Sequence, residues 1–529
     1  MLNTTYGRRG LVVAPHQLAA QAGLAVLREG GDAIEAVIAA AATCSVVYPH
    51  MNGLGGDGFW MIHELGKPPI GIMATGVVGQ NVGPELYRKN KLSEMPGRGP
   101  LACNTVAGTV AGWTAALEIS RARGGRLPLA RLLQDAILHA RDGVPVCAGL
   151  AGAFAADGKE LLSRPGFGRV FMPGGKAPVA GALMTQPALA KTLERLAAAG
   201  TDDFYRGELA GVIASELKAA GSPLTREDLA AHQARPVHPL TVRLRGSTLY
   251  NLPPPTQGLA SLMILGLFDR MEVPEAGGYL HVHCLVEATK HAGRVREGFL
   301  TDPAYMRVEA TDFLLPEVLD EVAAAVDRSR ASPYFPAGEY GDTVWLGAVD
   351  SAGRVVSCMQ SLCWAFGSGV ALERTGVLWH NRGVGFSLQP GAFNALIPGR
   401  RPFHTLNPAL AVFDDGRVMA YGAMGGEGQP QTQAMVFSRY ARFGEGLQAA
   451  VTAPRWFLGR RRGKGSVSLK LEDRFPPEMV EWLRLSGHEL EIVEPFSDLM
   501  GHAGAIVRSP SGTIEGAYDP RSDGAVAAW

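Results

Sequence analysis

The chain of 529 residues carries no surplus of either charge, since 50 lysines and arginines balance 50 aspartates and glutamates. Nothing therefore marks nucleic acid or an anionic membrane as a partner. Cysteine is scarce: Cys44, Cys103, Cys147, Cys284, Cys358 and Cys363 stand scattered, with no C-x-x-C spacing. That argues against a disulfide framework or a cysteine-built metal site and suits structural thiols in a reducing cytoplasm, the expected location. Long apolar runs are missing too. Ala33 to Val47 is opened by Asp32, contains Glu35 and is too short to span a bilayer. The first ten residues lack the apolar core of a secretory signal. Histidines at ligand spacing are absent: His281 and His283 stand two apart in a helical stretch and point to different faces. His16, His50, His63, His139, His232, His238 and His291 have no partner signal. No metal and no cofactor are expected.

What is present is an Ala- and Gly-rich first third with helical periodicity. His16 to Glu29 reads as an amphipathic helix stopped by Gly30-Gly31, and Asp32 as the N-cap of a second helix to about Ser45. Pro187 to Ala199, Leu209 to Ala220, a start capped by Thr225 and Asp228, Tyr279 to Phe299 and Pro477 to Ser486 read as further helices. Val242 to Asn251 alternates like one strand, halted at Pro253-Pro254-Pro255. From Thr343 onward strands are expected at 343–350, 354–361, 376–380, 409–414 and 417–423. Helices first and paired strands later predict an α+β layered body rather than regular βαβ alternation.

Thr343 follows Gly341-Asp342 and opens the run Val344-Trp345-Leu346-Gly347-Ala348-Val349. A threonine there matters if the chain is cut just before it. One residue then carries a nucleophilic hydroxyl and its own α-amine, whose ordinary pKa of about 7.7–8.0 lets it act as general base near neutrality. Left uncut, Thr343 is an ordinary β-branched strand residue. No Pro- or Ser-rich linker surrounds residue 342, so a cut would separate segments that stay packed together, not a pair of domains. The second segment would hold 529 − 342 = 187 residues.

Gly53-Leu54-Gly55-Gly56-Asp57-Gly58 could suggest a phosphate loop. The strand pattern Phe59-Trp60-Met61-Ile62-His63 follows it, so close backbone approach in a buried turn is the better reading. Gly425-Gly426, after an apolar strand, can present two N–H groups as an oxyanion hole or make a plain turn. His380-Asn381-Arg382-Gly383 and Arg400-Arg401-Pro402-Phe403-His404-Thr405 put arginines beside strand-like segments. Lining a pocket, they would favour a carboxylate-bearing substrate; on a solvated edge they would mean nothing.

Together these segments resemble the γ-glutamyltranspeptidase family of N-terminal nucleophile hydrolases over nearly the whole length. The landmarks are Gly10 to Ala14, Gly30 to Ala33, Gly53 to Phe59, Gly108 to Gly112, Pro253 to Gly258 and Glu287-Ala288. Asp342-Thr343, Phe366 to Gly369, Arg401-Pro402, Gly425-Gly426 and Asp519 to Gly524 complete the set. The resemblance implies a four-layer αββα sandwich made as a precursor that cuts itself between Asp342 and Thr343. It would leave a large subunit, 1–342, and a small subunit, 343–529, together one structural domain. A homodimer of that heterodimer is compatible with it. Thr343 would form the acyl-enzyme, Gly425 and Gly426 would hold the oxyanion, and Ser361 falls where the family places a hydroxyl beside the nucleophile.

The pocket departs from the usual family pattern. Gly71 to Val77 lacks the arginine followed by Ala-Pro that clamps a γ-glutamyl α-carboxylate. Cys363, Arg382 and Gly385 stand where the family usually has residues gripping the α-ammonium, and His404 stands in place of a serine, beside Thr405. An ammonium next to Arg382, with no carboxylate to balance it, would be repelled. The pattern is similar to the oxamate amidohydrolase branch and to acylases that take glutaryl groups. It implies hydrolysis of a small carboxylate-bearing amide, with Arg382, His404, Thr405 and, less directly, Arg374 as substrate-binding residues. True γ-glutamyl transfer from glutathione, and an uncut binding protein without chemistry, are the competing readings.

Overall fold

A computed structural model describes residues 2–333, 341–460 and 467–529. Two seven-stranded antiparallel sheets form its centre. The first runs Ala525–Ala528, Leu11–Ala14, Asp342–Val349, Val355–Cys363, Asp57–His63, Ile70–Ala74 and Arg235–Val237. The second runs Thr5–Gly7, Ile514–Tyr518, Ala503–Arg508, Val418–Ala423, Ala409–Phe413, Ser247–Asn251 and Leu240–Leu244. Three hydrophobic cores define the layers. One, with Val13, Phe59, Trp345 and Met359 facing Leu410, Val418 and Ile506, lies between the sheets. Another packs helices Gln17–Arg28, Ala33–Val47, Thr109–Arg121 and Leu129–Asp142 on the outer face of the first sheet. The third packs Gly258–Arg270, Tyr279–Phe299 and Gln429–Phe437 on the second. The fold is the expected αββα sandwich.

Covered on both faces, the inner strands lose alternation. All residues of Val355–Cys363 and of Asp57–His63 are buried, which is why they read as continuous apolar runs. Asp32 and Glu35 close a full capping box on the second helix, and Thr225 and Asp228 close another. Two strand expectations are corrected. Val242 to Asn251 is a hairpin of Leu240–Leu244 and Ser247–Asn251, because Gly246 at φ +78° turns the chain. Residues 376–380 make only single bridges, Ala371 to Leu378 and Gly55 to Trp379, and form no strand. The short strands at the N- and C-terminal ends that complete both sheets were not foreseen.

Trp345 ties the sheets together. Its indole N–H donates to Ser357 Oγ at 2.9 Å, and its ring lies against Gly422 and Gly504 of the second sheet. A Cβ at those glycines would come within 2.1 and 2.3 Å of the ring. Each sheet draws strands from both sides of residue 342, and Arg354 pairs across with Asp32 and, at 3.0 Å, Glu64. The six cysteines are free thiols, and no described helix is long and apolar enough to cross a membrane.

Candidate active site

Thr343 is 1% exposed, in a strand held between Leu11–Ala14 and Val355–Cys363. The pairing runs Asp342 to Cys363 and then Val344 to Gln360, so Ser361 and Leu362 together face Thr343. This bulge aims Ser361 at the backbone just before the threonine. Ser361 Oγ accepts the Cys363 N–H at 2.8 Å and an Arg382 N–H at 3.3 Å, and donates to the Asp342 carbonyl at 2.5 Å. With two donors already on its oxygen, its proton polarises the Asp342–Thr343 peptide. The Asp342 carboxylate accepts the Ala365 N–H at 2.7 Å. Gly56 must be glycine beneath this bulge, because a Cβ would meet the Ser361 carbonyl oxygen at 2.4 Å. The Gly-rich run is thus the buried turn expected of it.

Gly425 and Gly426 leave the strand Val418–Ala423 at φ +131° and +53°, a path open to glycine, before Gln429–Phe437 begins. Both are buried, and among the described residues neither N–H has an acceptor. Gln257 Nε2 fixes the turn by donating to the Gly426 carbonyl at 2.8 Å. A Cβ on Gly341 would lie 3.6 Å from the Gly426 Cα, so the turn sits against the backbone leading to Thr343. Two adjacent unpaired amide donors there have the chemistry of an oxyanion site.

Arg382 is 5% exposed and donates to Thr405 Oγ1 at 3.2 Å as well as to Ser361. Among the described residues no carboxylate oxygen lies within ion-pair distance of its guanidinium, and its Nε is buried without a partner. The carboxylate that tempers it, Asp57, sits deeper. His404 Nε2 donates to Asp57 Oδ2 at 2.9 Å, and His380 Nδ1 faces the same oxygen at 3.5 Å. Burial drives His404 well below its ordinary pKa, with Arg382 and His380 adding to the effect, and takes His380 down to about 3. Both imidazoles are neutral. Burial pushes Asp57 up to about 7, against the pull of Arg382 and backbone donors. The expectation of an arginine with no balancing carboxylate is corrected by this buried acid, which titrates near neutrality.

The Asp57 shift carries a sign. Its folded pKa lies above its ordinary value of 3.8, so the folded state keeps a proton that the unfolded state releases. Stability is full below about pH 4 and is lost as pH rises through about 7, by about 4 kcal/mol at most. Asp57→Asn should flatten the fall in Tm between pH 5 and pH 8. Melting curves at both pH values check this, and an undiminished slope would place the proton elsewhere.

Thr343, Ser361, Arg382, Thr405, His404 and the glycine pair are thus assembled in one region. Arg374 is not: it lies exposed on a turn whose backbone N–H donates to Glu216, with Gly376 against Leu189. Arg400 and Arg401 are structural. The first holds Thr301 and the Phe393 and Ala395 carbonyls, and the second pairs with Asp302 at 2.7 Å. The fold also brings His488 to His283 and Glu287, one helical turn apart on Tyr279–Phe299, all three buried. Their atoms are already engaged. The two rings hydrogen-bond at 2.8 Å, and Glu287 holds Lys290 at 2.7 Å and the Ser332 hydroxyl at 2.5 Å.

Sequence reasoning missed Asp57, His380 as its neighbour, Gln257 and Gln429, whose Nε2 donates to Thr343 Oγ1 at 3.2 Å. An acid one glycine before the apolar run Phe59 to Ile62 was the available signal for Asp57. Gln429 gave none.

A two-sheet sandwich with a threonine at the head of an inner strand defines an N-terminal nucleophile hydrolase. The chain belongs to the γ-glutamyltranspeptidase family, whose model matches residues 19–529, and is an enzyme of that family. It is 52% identical to the oxamate amidohydrolase proenzyme of Klebsiella pneumoniae over 100% of both chains. It is 37% identical to the glutathione hydrolase-like YwrD proenzyme of Bacillus subtilis over 99% of both. Among solved structures, the cephalosporin acylase from Bacillus halodurans superposes with a TM-score of 0.91 at 33% identity, covering 100% of this chain and 97% of that one.

Proposed function

We propose that this chain is a precursor that cuts itself between Asp342 and Thr343. The product is an amidohydrolase for small amides whose acyl group bears a carboxylate, oxamate-like before glutaryl-like. In the cut, Thr343 Oγ attacks the Asp342 carbonyl carbon, which Ser361 polarises. The peptide C–N bond breaks as the hydroxyl proton passes to the freed nitrogen, which leaves an ester that water hydrolyses to the Asp342 carboxylate and free Thr343. Both sheets would then be shared by the two pieces, which favours a lasting heterodimer. In turnover the new α-amine takes the Thr343 hydroxyl proton, Oγ bonds to the amide carbon, and the oxyanion forms at Gly425 and Gly426. Collapse expels ammonia or an amine carrying that proton, and water hydrolyses the acyl-enzyme. Oxamate and water would give oxalate and ammonium.

One observation carries the substrate class: Arg382, buried, directed at Ser361 and Thr405, and without a carboxylate in contact among the described residues. Buried guanidinium of this kind matches a substrate carboxylate. The name of the Klebsiella pneumoniae relative, an oxamate amidohydrolase proenzyme, supports a hydrolase of such amides. A substrate panel tests this, with oxamate, glutaryl anilides and γ-glutamyl anilides compared by kcat/KM. Preference for the γ-glutamyl compound would sink the reading. Ser361→Ala should slow self-cleavage by about 10²–10³-fold, the cost of one oxyanion donor, as followed by gel densitometry of freshly purified precursor. Cleavage at the unaltered rate would remove Ser361 from the step.

A further inference from the structure

Five buried side chains make a hydrogen-bond relay that runs in one direction and ends on the nucleophile. Ser261 Oγ donates to Gln433 Oε1 at 2.6 Å, and Gln433 Nε2 donates to Asn407 Oδ1 at 2.6 Å. Asn407 Nδ2 donates to Gln429 Oε1 at 3.1 Å, and Gln429 Nε2 to Thr343 Oγ1 at 3.2 Å. None of the five is more than 2% exposed.

The direction is fixed by groups that cannot reverse. Asn407 faces the Thr405 carbonyl at 2.8 Å, and a carbonyl only accepts, so the Asn407 NH₂ must lie on that side. Its second hydrogen then meets Gln429, which must turn its oxygen toward Asn407 and its NH₂ toward Thr343. At the far end Gln433 Nε2 also donates to the Asn407 backbone carbonyl at 2.9 Å, which fixes Gln433 in the same sense. Gln429 can therefore donate to Thr343 Oγ but cannot take its proton.

We propose that Gln429 is a catalytic hydrogen-bond donor to the nucleophile oxygen, with Asn407, Gln433 and Ser261 as positioning residues. This rests on reading Thr343 as the nucleophile. In acylation the Thr343 hydroxyl proton passes to its own α-amine, the Oγ–C bond forms, and the carbonyl π pair moves to the oxyanion. The Gln429 N–H stabilises charge on Oγ as its proton leaves. In deacylation water adds to the acyl carbon and gives a proton to the amine. The C–Oγ bond then breaks, and Oγ departs as a leaving group before regaining that proton. The same N–H eases this departure, which the oxyanion donors cannot do because they face a different oxygen. Self-cleavage uses the same oxygen and gains the same help.

Gln429→Glu keeps the shape, still accepts from Asn407, and turns an acceptor toward Thr343; Gln429→Met removes the polar group. Rates are taken per mole of cut enzyme, so loss of folded protein does not enter. Gln429→Glu should lower kcat on oxamate by about 10²-fold or more, with KM falling alongside as deacylation becomes the slow step. Quenched Gln429→Glu should show acyl-Thr343 by mass spectrometry where wild type does not. Ser261→Ala, at the far end, should lower kcat by about 3–10-fold. Unchanged kcat in Gln429→Glu, or a fall in kcat matched by KM without acyl-enzyme, overturns the proposal. If the Gln429 variants fail to fold, Ser261→Ala decides, and wild-type kcat overturns it. If wild type does not hydrolyse oxamate, the substrate reading fails separately. The donor is then judged by self-cleavage: Gln429→Glu cutting at the wild-type rate overturns it, and a slowing supports it.

Discussion

Thr343→Ala should leave purified protein as one chain of 56.0 kDa, where wild type should run as two pieces of 342 and 529 − 342 = 187 residues. Hydrolysis should fall by about 10⁴–10⁶-fold, the loss expected when a nucleophile is removed and only binding and oxyanion donors remain. Alanine at this buried strand position removes a hydroxyl and a methyl, so the fold should persist. Thr343→Ser, which keeps the oxygen and the amine, should cut itself more slowly and retain turnover. Denaturing gels and mass spectrometry of the fragments check both variants. Two pieces from the alanine variant, starting at the same residue, would mean that another agent makes the cut.

The second large effect falls on recognition. Arg382→Gln keeps much of the side-chain volume and discards the charge. Truncating one partner of a buried charge-assisted contact costs about 2–5 kcal/mol, so KM for oxamate should rise about 30-fold to several thousand-fold. A neutral ester of oxamic acid should lose far less. Since Arg382 also touches Ser361, self-cleavage should slow as well, and kinetics are compared per mole of cut enzyme. Equal losses on the charged and neutral compounds would remove the carboxylate clamp. Asp57 bears on the same test. A neutral, protonated Asp57 leaves the guanidinium charge for the substrate, whereas ionisation above about pH 7 offsets it.

Much of this architecture was legible because the inner strands are buried on both faces. Asp342–Val349 and Val355–Cys363, joined by the turn at Ser351-Ala352-Gly353, stood out as apolar runs, and Thr343 was marked by its place at the head of one. Capped helices were legible for the local reason that Asp32 and Thr225 bond their own first turns. Contacts between distant segments were not. Asp57 read as belonging to a glycine turn, because only the fold sets it beneath His404, 347 residues later. Gln429 is one polar residue in Gln-Pro-Gln-Thr-Gln, and nothing local shows that its amide meets a threonine 86 positions earlier. Arg374 and Arg382 stand eight residues apart in sequence, yet one lies on an exposed turn and the other is buried against Ser361.

The indole of Trp345 acts as a spacer gauge between the two sheets, two residues from the Thr343 hydroxyl. Its three glycine neighbours, Gly347, Gly422 and Gly504, leave no slack, since an added methyl at any of them would come within 2.6 Å of the ring. An evolving or engineered lineage cannot retune the nucleophile by small steps in this interlayer. Under the proposed function, acyl preference is open to change in the connecting segments that bear Arg382 and Thr405, not in the framework behind the threonine.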